Sequence, residues 1–190
     1  MTKLELKQAL ETILFVATHP LSPKQLTELI GDCETKEIRE LVAELNLSYK
    51  KTIRIFRIDS VADGLQMHTL PEYKKWAQSL ETVKVIKLSP AVMETLAIIA
   101  YKQPLTRAGI EFIRGVDSSH TIRRLMQQKL VRIVGREMLP GRPGLYGTTK
   151  GFLEVFGLTR LKYLPALSEL DMDKLPEESQ LELPLESEDE

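Results

Sequence analysis

The chain has 190 residues, 43 % of them hydrophobic, and its 26 basic and 27 acidic side chains give a net charge of −1. This length fits one ordinary domain or two small ones, and the hydrophobic content excludes a wholly disordered protein. The single cysteine, Cys33, excludes a fold held by internal disulfides, and no apolar run approaches the roughly 18 residues of a membrane helix.

Charge is distributed unevenly along the chain. Residues 1–87 carry 13 basic and 12 acidic groups, residues 88–165 have a net charge of +7, and residues 166–190 hold ten acidic groups and one basic group. The last segment lacks aromatic residues, so we predict a disordered acidic tail. The tail either keeps the protein soluble or binds a partner or the basic part of the chain.

A repeat indicates two copies of one structural unit. Pro20-Leu21-Ser22 recurs 84 residues later as Pro104-Leu105-Thr106, and a glycine ends each following segment, at Gly31 and at Gly115. The apolar pair Leu26 and Leu29 aligns with Ile110 and Ile113 at the same spacing. We therefore predict an N-terminal domain over residues 1–87 and a C-terminal domain over residues 88–165.

In the first copy, apolar residues spaced three and four apart predict a helix from Leu6 to Ala17, and two more helices follow. A switch to a period of two predicts a β-hairpin, with Asp63-Gly64 as its type I′ turn. Pro71 then begins another helix, for which we expect Tyr73, Trp76 and Leu80 to point inward.

The second copy repeats this order. Residues 93–101 are apolar nearly all round, which predicts a helix buried on several sides. Two shorter helices follow, then two strands joined by a loop around Arg142. Three helices followed by a hairpin predict an α+β, mostly helical fold of two tandem winged-helix domains, a variant of the helix-turn-helix, with the acidic tail appended.

Few residues could support catalysis. His19, His68 and His120 are not close in sequence to other metal ligands, and the glycines do not form a phosphate-binding loop. We therefore expect no enzymatic activity, no metal, no cofactor and no small-molecule substrate. A helix carrying Arg123, Arg124 and Gln127 is a possible reader of the DNA major groove, which leaves a winged-helix transcriptional regulator as an alternative.

Two long motifs carry a family resemblance. They are Glu94-Thr95-Leu96-Ala97-Ile98-Ile99-Ala100-Tyr101-Lys102-Gln103-Pro104-Leu105-Thr106-Arg107, continuing through Ile113-Arg114-Gly115-Val116-Asp117-Ser118, and Gly141-Arg142-Pro143-Gly144-Leu145-Tyr146-Gly147-Thr148-Thr149. Both strongly resemble the segregation and condensation protein B family. Gly109 departs from that family, in which an acidic residue is common at this position.

The resemblance implies a non-enzymatic subunit of a bacterial condensin-like complex that acts in chromosome segregation and lies in the cytoplasm with the nucleoid. It implies a homodimer formed through the N-terminal domain, and binding of the kleisin, segregation and condensation protein A, through the C-terminal domain. The structural-maintenance-of-chromosomes ATPase is reached through the kleisin, DNA is contacted indirectly or weakly, and no membrane is involved.

Within that framework we predict particular contact residues. Phe15 and Val16 widen the apolar face of the first helix, so we expect them at the dimer interface. The expected kleisin contacts belong to the two motifs, and we predict that they lie at exposed turns: Arg114, Val116, Asp117, Arg142 and Pro143.

Overall fold

The computed structural model describes residues 1–31, 33–79, 86–166 and 182–183 of a mixed α and β chain that is mostly helical. The chain divides into two units, one of Met1–Thr82 with Gly157–Arg160 and one of Val83–Phe156 with Leu161–Glu190. The sequence predicts a C-terminal domain over residues 88–165, whereas residues 157–160 belong to the first unit.

The first unit contains three helices followed by an antiparallel hairpin. In chain order its elements are α1 (Lys3–Val16), α2 (Pro23–Ile30), α3 (Thr35–Lys51), β1 (Phe56–Val61), β2 (Gly64–Thr69), a 3-10 turn (Pro71–Tyr73) and α4 (Lys74–Ser79). Side chains set the start of the first two helices. Thr2 caps α1 reciprocally with Glu5, and Ser22 caps α2 with Gln25.

One face of each helix forms the core of the first unit. The buried residues come from α1, α2, α3 and the hairpin: Leu6, Leu10, Leu14, Leu26, Ile38, Leu41, Val42, Leu45, Tyr49, Ile58 and Leu65. At the edge of this core, the Tyr49 ring meets Phe56 edge-on at 5.0 Å, and its hydroxyl donates to Glu11 over 2.9 Å. Burial and the Glu11 bond both raise the pKa of Tyr49.

The hairpin turn lies one residue earlier than the sequence predicts. Ala62 and Asp63 have the positive φ angles of 49° and 61° that a type I′ turn requires, while Gly64 pairs with Val61 as the first residue of β2. A Cβ at Gly64 would lie 2.9 Å from the carbonyl carbon of Pro20. The glycine at this position therefore permits close packing on the preceding loop rather than forming the turn.

Residues 157–160 satisfy the backbone groups of that turn. The Ala62 and Asp63 amides donate to the carbonyls of Leu158 and Thr159 over 2.9 and 3.0 Å. Arg160 donates to the Asp63 carboxylate over 2.5 Å. These bonds place the segment in the first unit although it is distant in sequence.

The second unit repeats the helical order and adds a third strand to the hairpin. Its elements are β3 (Ile86–Lys87), α5 (Pro90–Lys102), β4 (Leu105–Thr106), α6 (Arg107–Arg114), α7 (Ser119–Gln127), β5 (Val131–Arg136), β6 (Gly144–Thr148), α8 (Lys150–Val155), a 3-10 turn (Leu161–Tyr163) and β7 (Glu182–Leu183). The sheet order is β4-β6-β5, with Leu105 opposite Tyr146. In the first unit, Leu21, which aligns with Leu105 in the repeat, bridges to Leu65 in the same way.

Helix α5 is the central helix of the second unit, as its apolar sequence predicts. Its residues Val92, Thr95, Leu96, Ile99 and Ala100 are buried, and the Thr95 hydroxyl donates to the carbonyl one turn earlier. After the helix ends, the Gln103 side-chain oxygen accepts from the Thr148 amide over 2.8 Å. This bond joins the end of α5 to β6.

Two sequence predictions, for helix α4 and for the acidic tail, differ from the structure. Helix α4 buries none of its residues, and Trp76 is 64 % exposed, so the expected inward position of Trp76 is wrong. Leu80 lies outside the described residues. In the acidic tail, β7 pairs antiparallel with β3, so these two residues are extended. Residues 167–181 and 184–190 lie outside the described residues, and their disorder stays a prediction.

Two glycine substitutions should have opposite effects on stability. Gly64→Ala should lower the free energy of unfolding by about 1–3 kcal/mol, because its methyl group collides with the Pro20 backbone. Gly109→Ala should raise it by up to about 1 kcal/mol, because Gly109 lies inside α6 and its Cβ would meet neighbours only at 3.4 Å or more. Urea denaturation measures both effects. Equal destabilisation by the two changes would contradict the packing described for Gly64.

Candidate partner-binding surfaces

Arg114 holds together three elements of the second unit. Its side chain is only 7 % exposed, and two of its guanidinium nitrogens donate to the same Glu94 oxygen, at 3.1 and 3.2 Å. A third nitrogen donates to the hydroxyl of Ser118, which is buried, over 3.0 Å. Arg114 thus joins α6 to α5 and to the start of α7, and the expectation that it lies at an exposed turn is wrong.

Asp117 and Val116, which follow Arg114 in the same motif, differ in whether their side chains are free to contact a partner. The Asp117 carboxylate accepts from the Ser119 amide over 2.7 Å, and this bond holds the pKa of Asp117 below its usual value. Asp117 therefore stabilises the first turn of α7. The Val116 carbonyl accepts from the Ser118 hydroxyl over 3.2 Å, while its side chain is 55 % exposed. The Val116 side chain is therefore an apolar group that this motif presents to solvent.

The second motif forms the end of the β5–β6 hairpin. Arg142 is exposed, has a positive φ of 42°, and donates its amide to the Leu139 carbonyl over 2.8 Å. Pro143 lines a cleft of about 270 Å³ together with Arg107, Ala108, Gly144 and Tyr146. The two sequence motifs therefore meet in this cleft, at the start of α6.

Helix α6 carries an exposed apolar stripe that the sequence reading missed. Phe112 is 89 % exposed and Ile113 is 48 % exposed. Phe112 lies one turn beyond Ala108 on the same side of the helix, so the stripe continues from the cleft. We define the α6 surface as Arg107, Ala108, Phe112, Ile113, Val116, Pro143 and Tyr146.

A signal for this stripe was present in the repeat. The aligned apolar pairs are Leu26 with Leu29 and Ile110 with Ile113, and the structure buries the first of each pair completely. It leaves Leu29 62 % and Ile113 48 % exposed. The core uses only one apolar residue of the pair in each short helix, so the second apolar residue can contact another molecule.

On α7, the three residues considered for DNA contact do not share one exposed face. Arg123 and Gln127, four residues apart, are both exposed on the same side of the helix. Arg124 is half-buried and engaged with other groups of the protein.

In the first unit, Phe15 and Val16 are 73 % and 72 % exposed at the end of α1. They line two different grooves. Val16 and Leu29 contribute to an apolar cavity of about 530 Å³, and Phe15 lines a second cavity of about 590 Å³ beside Arg54 and Phe56. Thr12 borders both cavities, so the two grooves adjoin along α1.

Within the part of the chain that the structure describes, no group of three or more histidine, cysteine or acidic side chains could hold a metal ion. No helix in that part is both long enough and apolar enough to cross a membrane.

Comparison with known proteins identifies the family. The model of the segregation and condensation complex subunit ScpB matches residues 8–167. The chain belongs to the segregation and condensation protein B family. Segregation and condensation protein B of Syntrophotalea carbinolica is 44 % identical over 169 residues, covering 89 % of this chain and 85 % of that protein. The protein of the same name from Moorella thermoacetica is 46 % identical over 165 residues, covering 87 % and 84 %.

The resemblance seen in the two sequence motifs is thereby confirmed, and the chain is a member of a family that acts in chromosome segregation and condensation. A crystal structure of ScpB from Mycobacterium tuberculosis is 27 % identical, covering 84 % of this chain and 99 % of that one, with a TM-score of 0.39.

Replacing Arg114 should destabilise the second unit. Arg114→Ala leaves the Ser118 hydroxyl buried without this donor, so the free energy of unfolding should fall by about 1–3 kcal/mol. Arg107→Ala is a matched control on the same helix, because Arg107 is 60 % exposed and its pairing with Glu111 lies at the surface. Its effect should stay within about 0.5 kcal/mol. Urea denaturation of both variants checks this. An unchanged free energy of unfolding in Arg114→Ala would show that the bonds of Arg114 to Glu94 and Ser118 contribute nothing to stability.

Proposed function

We propose that this protein is a non-enzymatic, dimeric subunit of a condensin-like complex, and that it binds the kleisin through the α6 surface. The observation that carries the proposal is the exposed stripe of Phe112, Ile113 and Val116, which continues from the cleft where the two family motifs meet. Contiguous exposed apolar side chains on a small unit are typical of protein-binding sites.

The arrangement of each unit supports two winged-helix domains. Three helices precede an antiparallel hairpin in both. In each unit, a residue between the first and second helices pairs with the second hairpin strand, through Leu21 in one unit and Leu105 in the other. In this fold the hairpin forms the wing. The cleft beside Pro143 then lies between the wing and the second helix of the domain.

Charge supports a partner segment that is acidic. Residues 88–165 carry a net charge of +7, and Arg107 and Arg142 border the α6 surface. An apolar stripe with basic side chains at its edge matches the usual plan of a protein interface, in which polar groups surround an apolar centre. Val116, Arg142 and Pro143 remain proposed contacts, and Phe112 is added to them. Asp117 and Arg114 support this surface from within.

The proposed dimer forms through the first unit. The two grooves on α1 expose Phe15, Val16 and Leu29, and this unit has a net charge close to zero, so two copies can approach without strong repulsion. ATP hydrolysis belongs to the ATPase reached through the kleisin, and the protein acts in the cytoplasm at the nucleoid. Membership of the family gives no support to the alternative of a transcriptional regulator.

Removing the proposed anchor should weaken the kleisin complex without unfolding the protein. Phe112→Ala should reduce affinity for the kleisin about tenfold or more, because a large apolar side chain at an interface centre contributes about 2 kcal/mol. The melting temperature should not change, since Phe112 is 89 % exposed. Calorimetric titration with the purified kleisin measures the affinity.

Tyr163→Ala is the matched control, because Tyr163 is an exposed aromatic residue of the same unit outside the α6 surface. It should leave the affinity unchanged. Equal affinity of the Phe112→Ala variant and the unaltered protein for the kleisin would exclude the α6 surface as the kleisin site. Separate elution of the unaltered protein and the kleisin in size-exclusion chromatography would exclude kleisin binding.

The proposed dimer interface can be tested by adding charge to α1. Phe15→Asp combined with Val16→Asp should convert the dimer to a monomer, because buried unpaired carboxylates are strongly unfavourable. Leu47→Asp is the control, since Leu47 is 59 % exposed on α3. Light scattering gives the mass of each variant. A dimer that survives both α1 changes would place the interface elsewhere.

A further inference from the structure

Ile53 adopts an unfavourable backbone conformation at the surface of the first unit. It follows Thr52, the C-cap of α3, and has a positive φ of 52°. Glycine is common after a helix C-terminus because it accepts this conformation freely, whereas a β-branched side chain does not. Because the Ile53 side chain is 86 % exposed, it contributes little to the stability of the fold that could offset this strain. A contact with another molecule would explain why an isoleucine occupies this position.

Ile55 and Trp76 are two further exposed apolar side chains of the first unit. Ile55 is 47 % exposed, and its carbonyl accepts from the Leu70 amide over 2.8 Å. Trp76 follows Leu70 by six residues of 3-10 turn and α-helix, a rise of about 10 Å along the chain. The Trp76 ring is 64 % exposed, and its centroid lies 6.0 Å from that of the Tyr73 ring.

Basic residues adjoin these three residues in the sequence, on both sides of Ile53 and directly before Trp76. Lys50, Lys51, Arg54, Lys74 and Lys75 are all exposed. Among the described residues, none of the five forms an ion pair with a carboxylate. We call Ile53, Ile55 and Trp76 with these five cations the Trp76 surface.

We propose that the Trp76 surface binds an acidic peptide segment of another protein chain, whose apolar side chains cover Ile53, Ile55 and Trp76. The five cations supply the complementary charge at the edge, and the three apolar residues supply the centre. A nucleic acid backbone would neutralise the cations, yet it would leave Ile53 uncovered. This binding site lies in the first unit, and it holds whether or not the α6 surface takes the kleisin.

Trp76 is the single tryptophan of the chain, so intrinsic fluorescence reports directly on this surface. The probe is a short synthetic peptide of glutamates with leucines at helical spacing, titrated into the full-length protein at low salt. Burial of the ring should shift its emission to shorter wavelength in a saturable way. Replacing the leucines of the peptide by serine should weaken binding about tenfold or more, because it removes the apolar contacts.

Variants separate the apolar centre from the basic edge, with a labelled peptide and fluorescence anisotropy as the readout. Ile53→Gly should weaken binding about tenfold while raising the melting temperature, because it removes the side chain and relieves the backbone. Trp76→Ala should weaken binding to a similar extent. Lys50→Glu combined with Lys51→Glu should weaken binding at low salt and reduce the dependence of affinity on salt concentration, because three of the five cations remain.

Ala62→Gly is the matched control. Ala62 also has a positive φ, of 49°, but it is buried in the hairpin turn, so the substitution relieves the backbone without altering the surface. It should raise the melting temperature and leave peptide binding unchanged. The absence of a saturable Trp76 shift would overturn the proposal. The proposal would also be overturned if a short DNA duplex bound as tightly as the peptide and Ile53→Gly did not weaken that DNA binding. This result would assign the surface to nucleic acid.

Discussion

The α6 surface depends on one buried cation. Arg114 donates to Glu94 on α5 and to Ser118 before α7, and these bonds fix the helix whose other side presents Phe112 and Ile113. A guanidinium suits this position because its donors are held in a fixed plane and can reach two acceptors at once. An exposed apolar stripe would gain nothing from a helix free to rotate, so a rigid support is what makes the stripe usable as an interface.

In each copy of the repeat, one residue of the aligned apolar pair stays exposed. In both units the core takes the first residue of the aligned apolar pair, Leu26 or Ile110, and the second stays outside. In the first unit that second residue, Leu29, lines a cavity with Val16, and in the second unit Ile113 belongs to the α6 surface. One repeated supersecondary unit thus supplies two different exposed apolar surfaces, and the surrounding charge distinguishes them, since the first unit is near neutral and the second is basic.

The sequence predicted the local elements well, since each has a local cause. Caps at Thr2 and Ser22, periodic leucines in α1 and the nearly continuous apolar face of α5 all act within a few residues. The three helices and the hairpin of each unit, the family and the charge distribution could therefore be determined from the sequence, whereas the short strands β3, β4 and β7 could not. The prediction for Gly64 was wrong because a glycine required by packing against Pro20 has the same sequence signature as a glycine required by a turn.

The candidate surfaces show the same division between sequence and tertiary structure. Sequence alone determined that Arg114, Val116, Asp117, Arg142 and Pro143 belong to two distinctive motifs, but it could not separate buried from exposed members. Exposure depends on which elements pack over a residue, and those elements are distant in the chain: Glu94 covers Arg114, and residues 157–160 cover the turn at Ala62. Only the tertiary structure turned Arg114 into a support, left Phe112 and Trp76 in solvent, and joined the two motifs in one cleft, because each of these outcomes is set by contacts between residues far apart in sequence.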